Sequence, residues 1–298
     1  MANLQAFKEN GQILFDTNLI CYGLVKSGNM SYIHSWTRKE FIRQGEDPNY
    51  GVNWSATTAI ATPNFADQIH GFTVVNPISP IAFITGSGCL VGTQVAGNAM
   101  TFYYTNASPS TKFYCFDLMA DNMSGTTFLK TYDSLGRITF NSLQPPLNVV
   151  GAVQAPGVGA LDGFGRYYTC YAGGSNRQRQ ANGNVGGIVY VAQADSYVNV
   201  PIGAAEYAAY LPWSRSCQIN DLYPAAGGFS QFAVYSGSEG AYGYNGGITF
   251  MFGATGGTTT TRPNTSGYGS PVSFSNIPTD RYPVALVIKS DNYPFPFN

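Results

Sequence analysis

Charge is scarce in this sequence. Of 298 residues, 15 are Lys or Arg and 16 are Asp or Glu, so charged side chains make up 10%, where about 25% is usual for a soluble domain. Lys is reduced to Lys8, Lys26, Lys39, Lys112, Lys130 and Lys289. A charge-laced helical bundle is therefore not expected. A net charge of −1 supplies no field that would gather phosphate backbones or anionic lipid, which argues against nucleic acid as a partner. It also supplies little repulsion between copies, so a homo-oligomer is expected.

Other absences narrow the reading further. No run of roughly 18 apolar residues exists, so no segment is expected to span a membrane as a helix. The first ten residues hold no continuous apolar stretch of the kind a secretory signal needs, so folding in a cytoplasm is expected. The cysteines Cys21, Cys89, Cys115, Cys170 and Cys217 are odd in number and form no C-x-x-C pair. Buried free thiols are the expectation, not zinc or a disulfide framework.

What is abundant is glycine (35 residues) and the pair Tyr and Phe (21 and 19). Short β-type runs recur between turn residues: 12–15, 20–25, 72–75, 81–84, 100–104, 112–118, 166–171, 187–192, 229–235, 247–252 and 284–289. Strands punctuated at this spacing predict an all-β fold of two sandwich or barrel-like domains. Asn245-Gly246-Gly247, between aromatic runs, predicts a hairpin turn because positive φ costs these residues least. Residues 31–44 fit helix and strand periodicity equally well, and 204–211 has room for two helical turns before Pro212.

Prolines and glycines crowd 144–159, which predicts a linker between an N-terminal domain, 1–143, and a C-terminal domain, 160–298. One internal echo lies N-terminal to that stretch. Gly11-Gln12-Ile13-Leu14-Phe15-Asp16-Thr17 and Gly136-Arg137-Ile138-Thr139-Phe140-Asn141-Ser142 share a turn glycine, a strand with Ile and Phe on one face, and a polar closure.

Catalytic patterns are thin. His34 and His70 are the only histidines to serve a nucleophile such as Ser87 or Cys89, and Thr85-Gly86-Ser87-Gly88-Cys89 lacks the G-x-S-x-G spacing of a nucleophile elbow. A glycosidase needs two carboxyl groups across a cleft, whereas Asp117, Asp133, Asp162, Glu206 and Glu239 are scattered singly. Gly86 to Gly92 misses dinucleotide spacing, and Asp162-Gly163-Phe164-Gly165 is too short for a calcium loop. No enzyme activity, metal or cofactor is expected.

Two segments stand out as contact candidates. Tyr242, Tyr244 and Asn245 lie in a Gly-rich stretch, and Tyr joins a flat apolar face to a hydroxyl at small entropic cost, which suits recognition. Arg38, Lys39 and Arg43, with Glu40, Glu46 and Asp47, form the densest charge in the chain. Such a run is a solvated face or the rim of an assembly contact.

The opening Phe7-Lys8-Glu9-Asn10-Gly11-Gln12-Ile13-Leu14-Phe15-Asp16-Thr17-Asn18, then Tyr22 to Gly28, resembles the start of tail-tip and tail-fibre proteins of long-tailed bacteriophages, as does Tyr132 to Ser142. The resemblance covers the first half. It implies a β-structured virion component, often a homotrimer, whose N-terminal portion docks to other phage tail proteins and whose C-terminal portion faces a host surface receptor. It carries no cofactor and no catalytic residue. The alternatives are a glycan-binding or glycan-cleaving β protein, and a viral capsid or decoration protein.

Overall fold

The computed structural model describes residues 5–7, 9, 11, 13–16, 19–37, 39–41, 54–56, 66–185, 188–224, 230–257, 259–260 and 272–298. Among them the regular structure is nearly all strand, as the turn-punctuated sequence predicts. The strands of the first half are β1 (Gln5–Phe7), β2 (Ile13–Asp16), β3 (Tyr22–Asn29), β4 (Ser31–Thr37), β5 (Lys39–Phe41), β6 (Trp54–Ala56), β7 (Ala66–Val75), β8 (Ile81–Thr85), β9 (Cys89–Ala96), β10 (Ala99–Thr105), β11 (Lys112–Leu118), β12 (Lys130–Tyr132) and β13 (Ile138–Asn141). The second half adds β14 (Gly151–Gln154), β15 (Ser175–Val185), β16 (Ile188–Tyr210), β17 (Ser216–Pro224), β18 (Ser230–Ala254), β19 (Thr259–Thr260), β20 (Ser273–Ser275) and β21 (Val284–Lys289).

Six strands close a ring. β8 pairs with β11 and β11 with β3. The outer edge of β3 is taken by the approach to β14, with a Gly23 to Pro146 bridge and Leu147 N donating to Tyr22 O at 2.8 Å. β14 pairs with β21, β21 with β16, and β16 returns to β8 through Ala209 and Ile84. The ring encloses Leu24, Phe83, Tyr114, Phe116, Ala208, Ile288 and Tyr293, all buried.

Alternation then places two more cores outside the ring, because successive side chains of a strand point to opposite faces. On β11, Tyr114 and Phe116 point inward, while Phe113 and Cys115 point out towards the four-stranded sheet β4-β7-β10-β9. There the Phe72 ring stacks on Phe113 at 3.7 Å and on Phe102 at 4.8 Å between centroids. On β21, Leu286 and Ile288 point inward, while Ala285 and Val287 join a third core of Tyr171, Ile219, Phe250, Phe252 and Phe274. These strands are buried on both faces, which is why their sequences read as continuous apolar runs.

Four expectations are corrected. The stretch 144–159 is not a linker: it fills the gap between β3 and β21 and supplies β14. Strands from both sides of it share the ring, so the expected boundary does not separate one sheet from another. Of residues 204–211, all but Leu211 belong to strand β16, since Tyr207 to Tyr210 are paired across to Leu286 to Lys289 in the interior, and that burial outweighs the helix preference of Ala. Asn245-Gly246-Gly247 is no hairpin: it lies inside β18, opposite a bulge in β16. Pairing jumps from Pro201 with Gly247 to Glu206 with Asn245, and Gly246 takes φ +119 to absorb it. Of residues 166–171, only Tyr167 makes isolated bridges. The ambiguous segment 31–44 is strand from 31 to 37 and again from 39 to 41.

Candidate contact surface

The echo seen in the sequence is a structural repeat. β1 and β2 pair as Gln5 with Asp16, Ala6 with Phe15 and Phe7 with Ile13, with a bulge after Ala6. β12 and β13 pair as Lys130 with Asn141, Thr131 with Phe140 and Tyr132 with Ile138, with the bulge after Thr131. Gly11 and Gly136 occupy the same place in the turn with φ +79 and +75, a conformation glycine adopts without strain.

A third copy of the turn follows, which sequence reading missed. Leu161 bridges Tyr167 as Tyr132 pairs with Ile138, and Gly165 has φ +74. In both later turns an Asp clamps the loop. Asp133 Oδ1 accepts N–H from Leu135 and Arg137 at 2.9 and 2.8 Å, and Arg137 Nε donates to Oδ2 at 2.7 Å. Asp162 Oδ1 accepts N–H from Phe164 and Arg166, each at 2.8 Å. The Arg137 N–H bond, with the Arg137 side chain and the Leu135 N–H, holds the Asp133 carboxyl below its usual pKa; the N–H groups of Arg166 and Phe164 do the same for Asp162. The signal was available as Asp-x-hydrophobic-Gly-Arg at 133–137 and at 162–166.

These rigid tips hold apolar side chains out in water. Leu135 is 75% and Phe164 77% exposed, at the same position of the two turns. On the β12–β13 hairpin, Phe128 at 97%, with Leu129 and Tyr132 about half exposed, extends the apolar surface. Scattered exposed hydrophobes are ordinary, but several gathered on one hairpin make it a candidate contact surface.

The structure separates the residues selected from sequence. Tyr242 is not exposed: it is buried in the core between β8, β10 and β18, and its burial raises the phenol pKa. Tyr244 is half-buried and Asn245 exposed, beside the exposed residues 201–204 of the bulge in β16. Arg38 and Arg43 lie outside the described residues, as does the side chain of Lys39, whose backbone pairs with Ala56 and Thr259.

The five acids weighed as catalytic carboxylates each have a partner. Asp117 accepts N–H from Ile78, Ser79 and Leu118, and Glu206 pairs with Lys112 at 2.8 Å. Asp133 and Asp162 clamp turns as above. Glu239 is fully buried against Arg215, whose Nε and Nη2 reach its two carboxylate oxygens at 2.8 and 2.7 Å, and Tyr171 donates to it at 2.8 Å. Ser87 Oγ donates to Asn106 O at 2.6 Å. Cys89 is buried, as are Cys115, Cys170 and Cys217, and none of the five cysteines is in a disulfide. Among the described residues no group of three His, Cys, Asp or Glu is placed to hold a metal ion, and no helix is long and apolar enough to cross a membrane.

Among the described residues, a recess and a groove are well formed. A recess of about 120 Å³ is walled by Ile84, Leu90, Tyr104 and Ala241, and rimmed by Pro212 and Trp213. A wider groove of about 350 Å³ lies between β3, β7 and β11, and Lys26, Asn76, Asp117, Asn122 and Asn298 line it. Comparison of the chain with protein-family models, with curated proteins and with solved structures gives no match.

Proposed function

We propose that the chain is a structural protein of a bacteriophage tail tip or tail fibre. It self-associates, with a trimer favoured, docks to other tail proteins in the virion, and contributes to host adsorption. It works as a building block and not as a catalyst. The observation that carries the reading is the set of clamped hairpin tips, which hold Leu135 and Phe164 in water on a frame with almost no net charge. An apolar protrusion on a rigid turn has little to do in a solitary soluble molecule and much to do in an assembly. The phage assignment itself rests on the resemblance of residues 7–28 and 132–142.

Host contact on this reading centres on Asn245 and Tyr244, next to the protruding residues 201–204. Sedimentation and electron microscopy of the purified chain, alone and with tail components, test it. A defined oligomer that joins tails is expected. A chain that stays monomeric at high concentration and ignores tail proteins overturns the assignment.

One observation favours a second reading, glycan binding. The groove lined by Lys26 and Asp117, whose charges cancel, and by three Asn side chains offers donors and acceptors in the pattern that a neutral, hydroxyl-rich ligand satisfies. Saccharide binding that is lost in Asn76→Ala and Asn122→Ala variants would support it.

A further inference from the structure

The chain carries a protrusion and a recess of matching size and chemistry at different places on its surface. Leu135 stands at the tip of the β12–β13 hairpin, and its own chain leaves it 75% exposed. The recess behind Trp213 is walled by Ile84, Leu90, Tyr104 and Ala241, and Trp213 at its mouth is itself 44% exposed. We propose that Leu135 of one copy seats in the Trp213-rimmed recess of a second copy. This rests on the self-association reading above and names the surfaces that perform it.

Size supports the match. Cavities of about 150 Å³ with apolar walls hold a benzene ring, so about 120 Å³ suits the isobutyl group of Leu135 better than the ring of Phe164. Phe164 is also engaged, with the Arg166 guanidinium 5.2 Å from its ring centroid. Charge supports it too. Arg137 neutralises Asp133 beside the knob, and Arg215 neutralises Glu239, which lines the recess, so docking buries no unpaired charge. The exposed Tyr132, which pairs with Ile138 at the base of the turn, supplies further apolar area beside the knob.

Knob and recess are different surfaces, so the contact is heterologous, and copies add head to tail until a ring closes. A trimer is a small ring of that kind. The self-complementary alternative, two hairpins face to face, would leave the recess open and would stop at a dimer.

The test uses the full chain and sedimentation equilibrium over a range of concentrations, with circular dichroism of each variant to establish folding. Leu135→Asp removes the knob, and Ser214→Arg, at an exposed position lining the recess, blocks the mouth; both sites tolerate change without touching a core. Each variant alone is expected to need at least a roughly tenfold higher concentration to associate, as for the loss of a buried apolar anchor. Phe164→Asp, at the equivalent position of the other turn, is expected to associate as the parent does. A mixture of Leu135→Asp and Ser214→Arg is expected to form one-to-one dimers, because one retains the recess and the other the knob. If Leu135→Asp associates as the parent does, or the mixture stays monomeric, this contact is wrong while self-association stands. If the parent chain itself never associates, both fall.

Discussion

The Arg215 to Glu239 pair offers the sharpest test of how the second half of the chain is held together. Both side chains are inaccessible to water. Glu239, in the middle of β18, accepts from Arg215 N, Nε and Nη2 and from the Tyr171 hydroxyl, while Arg215 Nη1 also donates to Pro278 O at 3.4 Å. The guanidinium lies over the rings of Tyr171, Phe252 and Tyr282 at 4.9 to 5.9 Å. One ion pair thus ties the approach to β17, β18, the loop at 171 and the loop near 278.

Glu239→Gln keeps the shape and removes the charge, leaving a buried cation with an amide whose NH2 must face a donor. Breaking a buried pair from one side costs about 3–5 kcal/mol, which at about 2 °C per kcal/mol for a chain of this size lowers the melting temperature by about 6–10 °C. Replacing Arg215 by Met, Glu239 by Leu and Tyr171 by Phe together removes every charge and the stranded hydroxyl. That triple variant is expected to lie within about 2 kcal/mol of the parent, because the desolvation cost of the pair disappears with it. Urea unfolding followed by circular dichroism measures both. If Glu239→Gln costs under about 1 kcal/mol, far below the range for a dry pair, the pair is hydrated and the burial argument fails.

Three further outcomes follow from the same packing. Gly243→Ala would put a methyl group onto the Tyr207 carbonyl, a backbone atom that cannot step aside, so a loss of at least about 3 kcal/mol is expected in the same assay. His70 is buried between Tyr32 and Tyr104 in the four-stranded sheet, and burial lowers its pKa. The unfolded chain therefore binds the proton more readily, so stability should be full above about pH 6.5 and fall as pH drops below it; His70→Gln should flatten that decline in pH-dependent melts. Titration of the native protein with a thiol reagent should find Cys21 alone, since the other four thiols are buried, and all five only after denaturation.

What could be read from the sequence and what could not divide along a physical line. Turn residues act locally, so the positions of β8, β11 and β21 were legible from their flanking Gly, Ser, Asp and Pro. The repeat of Gly11 to Thr17 in Gly136 to Ser142 was legible for the same reason, since a positive φ at glycine and an Ile-x-Phe face are properties of a few adjacent residues. Gly246 was misleading because positive φ serves a hairpin and a bulge equally; what decides is whether the flanking strands pair with each other or with a third strand, here β16. Tyr242 was misleading in a related way, as glycines on both sides suggested an open loop. Those glycines are present because the backbone there is packed: Gly240 sits against Gly88 and Cys89, and Gly243 against Tyr207.

The ring of six strands was invisible for a deeper reason. Its closure depends on Pro145 to Leu147 lying beside β3, and no local property of a Pro-Pro stretch says that its carbonyls will meet the N–H of Leu24. Proline suits an edge that accepts but does not donate, so the residues that read as a linker are the ones able to complete the ring from that side. The two halves of the chain are thereby locked into one set of cores, with the β12–β13 hairpin immediately before the closing segment. Its tip is held by Asp133, and its strand β13 by hydrogen bonds such as Cys21 N to Thr139 O at 2.9 Å. On the proposed self-association, a knob anchored where the ring closes would pass a neighbouring copy's load into paired strands and not into a free loop, because β13 is bonded to the residues leading into β3 and the closing segment follows it directly.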